Sequence, residues 1–241
     1  LRYVNLLLEK YPDAKVTIGA QPDLVSLVRS SFELPISTRS DIPTDYVTSL
    51  LDVPMILNLT WDTVPRPQKY LSIDQKLVEK WATKFKELPP GINVGLCWAS
   101  FNGISKTIPA WDMVELGGVP KINFISLQKP YSQAPKELKL RDWTDGINDW
   151  SDTGAIIENC DIIITIDTGV AHLAGALGKP VWNIVRFSTY WPWMDEKIPP
   201  SPDYSIWYPS MTFVRQKRLG DWLEPVRKVT LELQRQLVGL T

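Results

Sequence analysis

Four continuous apolar runs between residues 92 and 185 constrain the fold of this chain more than any other feature. They are "INVGLCWAS", "INFISLQ", "DIIITID" and "PVWNIV", and helix-like segments such as "PAWDMVELG" and "WSDTGAIIENC" separate them. Strands that helices cover on both faces lose the alternation of apolar and polar residues. Alternating strands and helices with short connections predict a doubly wound parallel sheet. We therefore predict an α/β fold, with Ser151 as the N-cap of the second of these helices.

The first 88 residues contain shorter and less regular apolar segments. The stretches "LRYVNLLLEK" and "PDLVSLVRSS" indicate helices on either side of a strand at residues 15–18, and "IDQKLVEKWATKFKEL" is an amphipathic helix. The tripeptide "PPG" at residues 89–91 precedes the regular series of strands and helices. We predict a first domain at residues 1–88, a second at 89–220, and a terminal helix at 221–241 that Asp221 caps.

Composition excludes several classes of protein. The net charge is −1, from 26 basic and 27 acidic residues, which argues against a nucleic-acid-binding surface. No apolar run approaches the roughly 18 residues that a membrane-spanning helix needs, and no signal peptide is visible. Cys97 and Cys160 lie beside strand-like runs and indicate buried thiols in a reducing compartment. We predict a cytoplasmic protein without a metal site, because the chain has one histidine and no clustered cysteines.

The single histidine lies in "DIIITIDTGVAHLAGALGKPVW". Asp167, Thr168 and Gly169 follow a strand and begin a helix, and His172 lies about one turn further on. Ligands of open α/β sheets bind at the carboxyl ends of strands, and a helix N-terminus attracts phosphate. Gly169 permits close approach of a ligand to the backbone, and the helix dipole should lower the pKa of His172. The alternative is a helix N-cap with a hydrogen-bonded core histidine. We favour a ligand site.

The stretch "DTGVAHLAGALGKPVW" resembles the D-[ST]-G-x-x-H-[LM]-A segment of family 9 glycosyltransferases, the heptosyltransferase-like group. It is most similar to bacterial members that follow tetratricopeptide repeats. The stretches "VGLCWAS", "SLQK", "WYPSMTFVRQ" and "GDW" support the resemblance. The resemblance implies a GT-B-like architecture of two Rossmann-like domains facing each other across a cleft. The nucleotide-sugar donor would lie mainly on the second domain, and the terminal helix would cross back to the first.

The resemblance also implies roles for individual residues. Asp167, Thr168, Gly169 and His172 would line the donor diphosphate. Lys106 would neutralise the leaving nucleotide phosphate, and the alternative is a solvated loop lysine. Gln128 or Lys129 would reach the nucleoside, although the heptosyltransferases commonly have an acidic residue near there, so the nucleotide stays open.

The aromatic stretch "RFSTYWPWMDE" follows the last predicted strand. Arg186 would meet phosphate, and Trp191 or Trp193 would stack on a sugar or base. The alternative, which we favour slightly, is an aromatic plug that closes this end of the domain. Arg215 and Gln216 match an arginine-glutamine pair of the family, to which the sequence assigns no role.

The resemblance implies transfer of a sugar from a nucleotide-sugar donor to a hydroxyl of a glycan, lipid-linked or protein acceptor, without a metal or other cofactor. Two alternatives remain open. One is a non-catalytic nucleotide-sugar-binding or scaffold module, and the other is a sugar-nucleotide epimerase, which shares the GT-B architecture.

The chain begins directly on a helix, whereas a Rossmann-like domain begins with a strand. We expect the first domain to lack its first strand and the 241 residues to be part of a longer chain. The aspartate that serves as general base in related enzymes would then lie upstream of Leu1, and this fragment would bind nucleotide with little transfer. An open sheet edge in the first domain could also pair with a second copy.

Overall fold

The computed structural model describes residues 1–39, 41–60, 62–100, 106–130, 132–188, 193 and 203–238. In these ranges the strands are β1 Ile18–Gly19, β2 Ile36–Ser37, β3 Ile92–Cys97, β4 Ile122–Ser126, β5 Ile162–Ile166, β6 Val181–Val185 and β7 Met211–Arg215. The α-helices are α1 Val4–Lys10, α2 Val25–Arg29, α3 Val53–Ile56, α4 Gln75–Phe85, α5 Trp150–Asn159, α6 Gly169–Ala176 and α7 Leu223–Val238. The 3₁₀ helices span Pro22–Leu24, Ala110–Gly118, Lys136–Leu138 and Thr144–Gly146.

Five strands form one parallel sheet in the order β4-β3-β5-β6-β7. The four apolar runs of the sequence form β3 to β6, so the predicted α/β class is confirmed. The sequence analysis was wrong in placing the last strand at "PVWNIV", because β7 pairs with β6 along its whole length. Met211, Phe213 and Val214 of this strand are buried and Thr212 and Arg215 are half-buried, and 25 residues of sequence separate the strand from β6.

Successive residues of β5 point to opposite faces of the sheet. Ile162 and Ile164 pack in a cluster with α7 and the Ala110–Gly118 helix, whereas Ile163 packs in a second cluster with α4, α5 and α6. All three isoleucines are almost completely buried. Both faces of the sheet are therefore covered, which explains why the strands read as continuous apolar runs.

Aspartates cap three of the described helices, and the first is α4, where Asp74 Oδ1 accepts a hydrogen bond from the Lys76 backbone at 2.8 Å. The predicted N-cap Ser151 is wrong, because α5 begins one residue earlier, at Trp150. Its N-cap is Asp149, whose Oδ1 accepts hydrogen bonds from the backbone of Ser151 at 2.7 Å and of Asp152 at 3.4 Å. The predicted cap of the last helix is confirmed, since Asp221 Oδ1 accepts a hydrogen bond from the Glu224 backbone at 3.3 Å.

The first part of the chain contains a small parallel sheet of β1 and β2. Val4, Ile18 and Val28 form a buried cluster beneath it. The strand predicted at residues 15–18 is observed at Ile18–Gly19. Association of two copies through this sheet stays a prediction.

Helix α4 lies against α5 of the five-stranded unit. Buried Trp81 donates a hydrogen bond from Nε1 to Asp152 Oδ1 at 2.8 Å, and Asn159 Nδ2 donates to the Val78 carbonyl at 3.0 Å. Residues 75–85, which the sequence analysis assigned to the first domain, thus contact the second. The division of the chain at residues 88 and 220 stays a prediction.

The described part of α7 contacts the Ala110–Gly118 helix and strands β6 and β7. Its buried Val226, Val229 and Leu233 belong to the core cluster on that face of the sheet. The predicted crossing of this helix to the first domain therefore stays a prediction. Among the described helices, none combines the length and the apolar character that crossing a bilayer requires.

Replacing Trp81 by phenylalanine tests the packing of α4 on α5. Trp81→Phe keeps most of the buried ring but removes the donor to Asp152 Oδ1, so we expect the free energy of unfolding to fall by about 1–3 kcal/mol. Urea denaturation measures it. Trp111 is 76% exposed, and Trp111→Phe should change stability by less than about 0.5 kcal/mol. Equal effects of the two substitutions would contradict this packing.

Candidate donor-binding site

The carboxyl ends of the five parallel strands meet at one edge of the sheet. The chain continues from β3 to β4 on one side of β3, and β5 then pairs with the other side. The strand order thus reverses between β3 and β5, and such a switch point is where open α/β sheets bind ligands. The turn at Asp167, Thr168 and Gly169 follows β5 directly at this place.

Asp167 is the centre of the polar contacts at this edge. Its Oδ2 accepts a hydrogen bond from Lys106 Nζ at 2.6 Å, and its Oδ1 accepts one from Trp193 Nε1 at 2.7 Å. The side chain of Asp167 is 15% exposed and that of Lys106 is 29% exposed. Lys106 therefore reaches across 61 positions of sequence to a half-buried carboxylate, and it does not lie free in a solvated loop.

Helix α6 begins without a side-chain cap. Thr168 occupies the N-cap position, with extended backbone and no capping hydrogen bond from its side chain. Its Oγ1 instead lies 3.3 Å from both the Ile166 carbonyl and Thr165 Oγ1. The first backbone N–H groups of a helix need partners from outside it. In the described residues no side chain fills this role, so the start of α6 can accept an anion.

His172 is half-buried in the first turns of α6. Its Nδ1 lies 2.9 Å from Tyr208 Oη, and its ring stacks on Trp193 at 4.8 Å between centroids. Burial lowers the pKa of His172, the charges of Arg2 and Lys106 lower it further, and Asp167 opposes them. The predicted direction is confirmed, but burial is the first cause, whereas the sequence analysis named the helix dipole. The lowered pKa favours the neutral ring at pH 7.

Trp193 forms an aromatic plug at this edge. Its side chain is 1% exposed and packs edge-on against Phe213, and its carbonyl accepts a hydrogen bond from Arg215. The Trp193 ring is almost completely buried and stacks on His172, so the predicted stacking of Trp193 on a sugar or base would require the ring to move. Trp191 lies outside the described residues.

Gly169 lies against Trp150, the first residue of α5. A Cβ atom at position 169 would come within 2.5 Å of the Trp150 ring. The structure thus gives the glycine a packing reason, whereas the sequence analysis attributed it to close approach of a ligand. Sequence reasoning missed Trp150, since nothing local to "NDWSD" points to residue 169.

Gln128 and Lys129 both form hydrogen bonds with the protein backbone. Gln128 is 5% exposed, and its Oε1 accepts hydrogen bonds from the backbones of Trp98 and Ala99, at 3.2 and 2.8 Å. Lys129 Nζ donates to the Ile147 carbonyl. Gln128 therefore stabilises the backbone of the loop after β3 through these hydrogen bonds. The predicted contact of either residue with a nucleoside would require these bonds to rearrange.

The remaining predicted residues lie along the same edge. Arg186 follows β6 directly, and Gln216 Oε1 accepts a hydrogen bond from the neighbouring Phe187 backbone at 3.1 Å. Cys97 ends β3, with Sγ 3.7 Å from Thr168 Oγ1, and burial raises the pKa of its thiol to about 11. Burial also raises the pKa of Cys160. Within the described residues, no three histidine, cysteine or carboxylate side chains converge as metal ligands do.

Residues 149–187 match the sequence model of glycosyltransferase family 9 (heptosyltransferase). This range contains α5, β5, α6 and β6, and with them the whole turn from Asp167 to His172. The predicted resemblance to family 9 is confirmed. The finer resemblance to the members that follow tetratricopeptide repeats stays a prediction.

The solved structures that the chain resembles include two glycosyltransferases. A family 9 glycosyltransferase from Veillonella parvula aligns with a TM-score of 0.51 and 14% identity, over 85% of this chain and 64% of that one. The ADP-heptose LPS heptosyltransferase II of E. coli aligns with a TM-score of 0.48 and 16% identity, over 71% and 56%. The likeness to the Veillonella protein is one of fold, and it agrees with the predicted GT-B-like class.

A curated relative is Protein FlbA of Caulobacter vibrioides. It is 25% identical over 203 residues, which cover 79% of this chain and 33% of FlbA. The chain thus spans about one third of the length of that relative.

Gly169 and Trp150 should behave as a coupled pair. Gly169→Ala places a methyl group against the Trp150 ring, and such overpacking costs about 1–3 kcal/mol of unfolding free energy. In a Trp150→Leu background the same substitution should cost less, which a double-mutant cycle measures. Gly118→Ala is the control, because a Cβ atom there meets nothing within 4 Å. Additive effects at 150 and 169 would contradict the contact.

The lowered pKa of His172 predicts a pH effect on stability. An unfolded histidine takes up its proton near pH 6.5, whereas folded His172 does so only at lower pH. The stabilisation is therefore fully present above pH 6.5 and is lost as pH falls from there through the folded pKa. Urea denaturation from pH 7.5 to 5.5 should show a steeper loss for the native chain than for His172→Gln. Parallel profiles would refute this prediction.

Proposed function

We propose that this chain binds a nucleotide sugar at the Asp167 edge of the sheet and that the protein transfers the sugar to an acceptor hydroxyl. The observation that carries the proposal is one juxtaposition. The uncapped start of α6, which belongs to the segment that matches glycosyltransferase family 9, and the ammonium group of Lys106 lie together at the switch point of the sheet.

The start of α6 and Lys106 are suited to the donor diphosphate. Free backbone N–H groups and the partial positive charge of the helix start attract phosphate oxygens. The Asp167 carboxylate would repel the same oxygens if it were free. Lys106 and Trp193 offset that repulsion, because each donates a hydrogen bond to one of its two oxygens.

The leaving diphosphate is the part of the reaction that most needs stabilisation, because negative charge develops on it. As the acceptor oxygen bonds to the anomeric carbon, the bond from that carbon to the diphosphate breaks, and the electron pair stays on the diphosphate. The proton of the acceptor hydroxyl passes to a base. A positively charged lysine and fixed N–H dipoles stabilise the charge that develops on the diphosphate. We infer that Lys106 contributes more in the transition state than in the bound ground state, and that no metal ion is needed.

The acceptor and the nucleotide are open parts of the proposal. A glycan, a lipid-linked sugar and a protein hydroxyl all remain acceptor candidates. We propose that the protein acts in the cytoplasm of a bacterium.

Lys106→Ala tests the proposal. Removing the charge should lower turnover by about 10²–10³-fold and nucleotide affinity by only about 10-fold. Thermal shift with ADP, UDP and GDP first identifies the nucleotide, because a ligand that binds only the folded state raises Tm. Calorimetry then gives affinity, and release of labelled nucleotide by an active form of the protein gives turnover. Lys121→Ala is the matched control, because Lys121 precedes β4 at the opposite edge of the sheet.

Labelled nucleotide sugars distinguish the proposal from its alternatives. Transfer moves the label to an acceptor and frees the nucleoside diphosphate, epimerisation changes the sugar while it stays attached, and a binding module leaves the donor unchanged. If no nucleoside diphosphate raises Tm, or if Lys106→Ala and Lys121→Ala behave alike, the Asp167 edge is not the donor site.

A further inference from the structure

Tyr208 connects His172 to the beginning of the chain. It belongs to the stretch "WYPSMTFVRQ", to which the proposed function assigns no role. Its hydroxyl lies 2.9 Å from His172 Nδ1, and the carbon of the Arg2 guanidinium lies 4.9 Å from its ring centre. The inference drawn from these three residues, Arg2, His172 and Tyr208, rests on the proposed function, since it concerns which ring nitrogen of His172 carries a proton toward the nucleotide-sugar donor.

The Tyr208 ring has a fixed position. Its side chain is 6% exposed, and it packs on α6 at Gly175, one turn after His172. A Cβ atom at position 175 would lie 2.5 Å from Cγ of Tyr208, close to the stem of the side chain, which cannot swing aside. Glycine at 175 therefore admits the ring beside the helix, and the hydroxyl then reaches His172.

Arg2 contacts Tyr208 and two further aromatic rings. It lies over the rings of Tyr70, Trp207 and Tyr208 at 4.9 to 5.5 Å, and its Nη1 donates a hydrogen bond to the Trp207 carbonyl at 2.6 Å. A guanidinium group has donors only. Arg2 also acts on the Tyr208 hydroxyl, since a side-chain hydrogen bond from Arg2 opposes the rise in the pKa of Tyr208 that burial causes. The phenol oxygen therefore accepts from the cation, and its own proton points elsewhere.

The hydrogen bond between Tyr208 and His172 can run in two directions. A neutral imidazole has one N–H and one acceptor nitrogen, and the bond at Nδ1 decides which is which. Burial first, and Tyr70 next, raise the pKa of Tyr208 far above its usual range, so the phenol keeps its proton. Tyr70 is a second side-chain hydrogen-bond partner of Tyr208. Because the phenol oxygen accepts from Arg2, the phenol is the better donor of the pair with His172, which favours Nδ1 as the acceptor.

We propose that Tyr208 is a positioning residue that holds neutral His172 in the tautomer with its proton on Nε2, so that Nε2–H is the hydrogen-bond donor of the site. Within the described residues Nε2 has no hydrogen-bond partner, whereas Nδ1 is bonded to Tyr208. A lone pair on Nε2 would repel a phosphate oxygen, and an N–H attracts it. The donor needs no positive charge, so His172 can serve while it is neutral.

The single histidine makes the tautomer directly measurable. Labelling with ¹⁵N-histidine gives signals from His172 alone. In the native chain without nucleotide we expect an acceptor-type signal from Nδ1 and an N–H-type signal from Nε2 near pH 7.5. Tyr208→Phe should average the two signals toward each other. Tyr204→Phe, at an exposed tyrosine of the same segment, should leave both unchanged.

Arg2 provides a second pair of variants. Arg2→Leu removes the cation from the Tyr208 oxygen and should also shift the two signals toward each other, whereas Arg2→Lys keeps a positive charge and should shift them less. Circular dichroism checks that each variant is folded. If Tyr208→Phe does not fold, the Arg2 pair still decides the question.

Nucleotide affinity completes the test. For the nucleoside diphosphate that stabilises the native chain, Tyr208→Phe should weaken binding by about 10-fold, and Tyr204→Phe should not. An N–H signal from Nδ1 in the native chain, or unchanged signals in both Tyr208→Phe and Arg2→Leu, would overturn the inference. A fixed Nε2–H tautomer in a chain that binds no nucleoside diphosphate would support the inference and reject the proposed function.

Discussion

The half-buried carboxylate of Asp167 organises the edge of the sheet at which the candidate site lies. A carboxylate in such a place is stable only when donors meet its oxygens, and here one donor is a lysine and the other an indole. Lys106 comes from the segment after β3, and Trp193 from the segment after β6. The Asp167 carboxylate thus connects the segments that follow β3, β5 and β6. Its bond to the Trp193 indole also explains why that side chain is buried beside His172.

The sequence predicted the regular part of this arrangement well. The four apolar runs, the end of β5 and the start of α6 follow from hydrophobic pattern and from the residues Asp167 to Gly169, because strand burial and helix initiation are local properties. The confirmed family resemblance rests on the same segment. Lys106 was identified through the resemblance, although the sequence could not tell that its partner is Asp167.

The rest of the candidate site depends on contacts between distant parts of the chain. Tyr208 reaches His172 from 36 positions away, and Arg2 reaches the Trp207 carbonyl from 205 positions away. No periodicity or capping rule encodes such pairs. The same holds for Trp150 and Gly169, where a bulky side chain of one helix explains a small residue of another. Ser151 was misplaced as an N-cap for a simpler reason, since Asp149 also fits and element ends are uncertain by one or two residues.

The C-terminal end of helix α6 is hydrogen-bonded to the segment that precedes α4. The backbone N–H groups of Tyr70 and Leu71 both donate to the Ala176 carbonyl, at 3.0 and 3.2 Å, and so satisfy one of the last carbonyls of the helix. Eight residues of helix are about 12 Å long and stiff along their axis. Helix α6 thus connects residues 70–71 to the edge of the sheet at which the candidate site lies. A shift of residues 70–71 along that axis would be carried to His172 and to the first N–H groups of the helix.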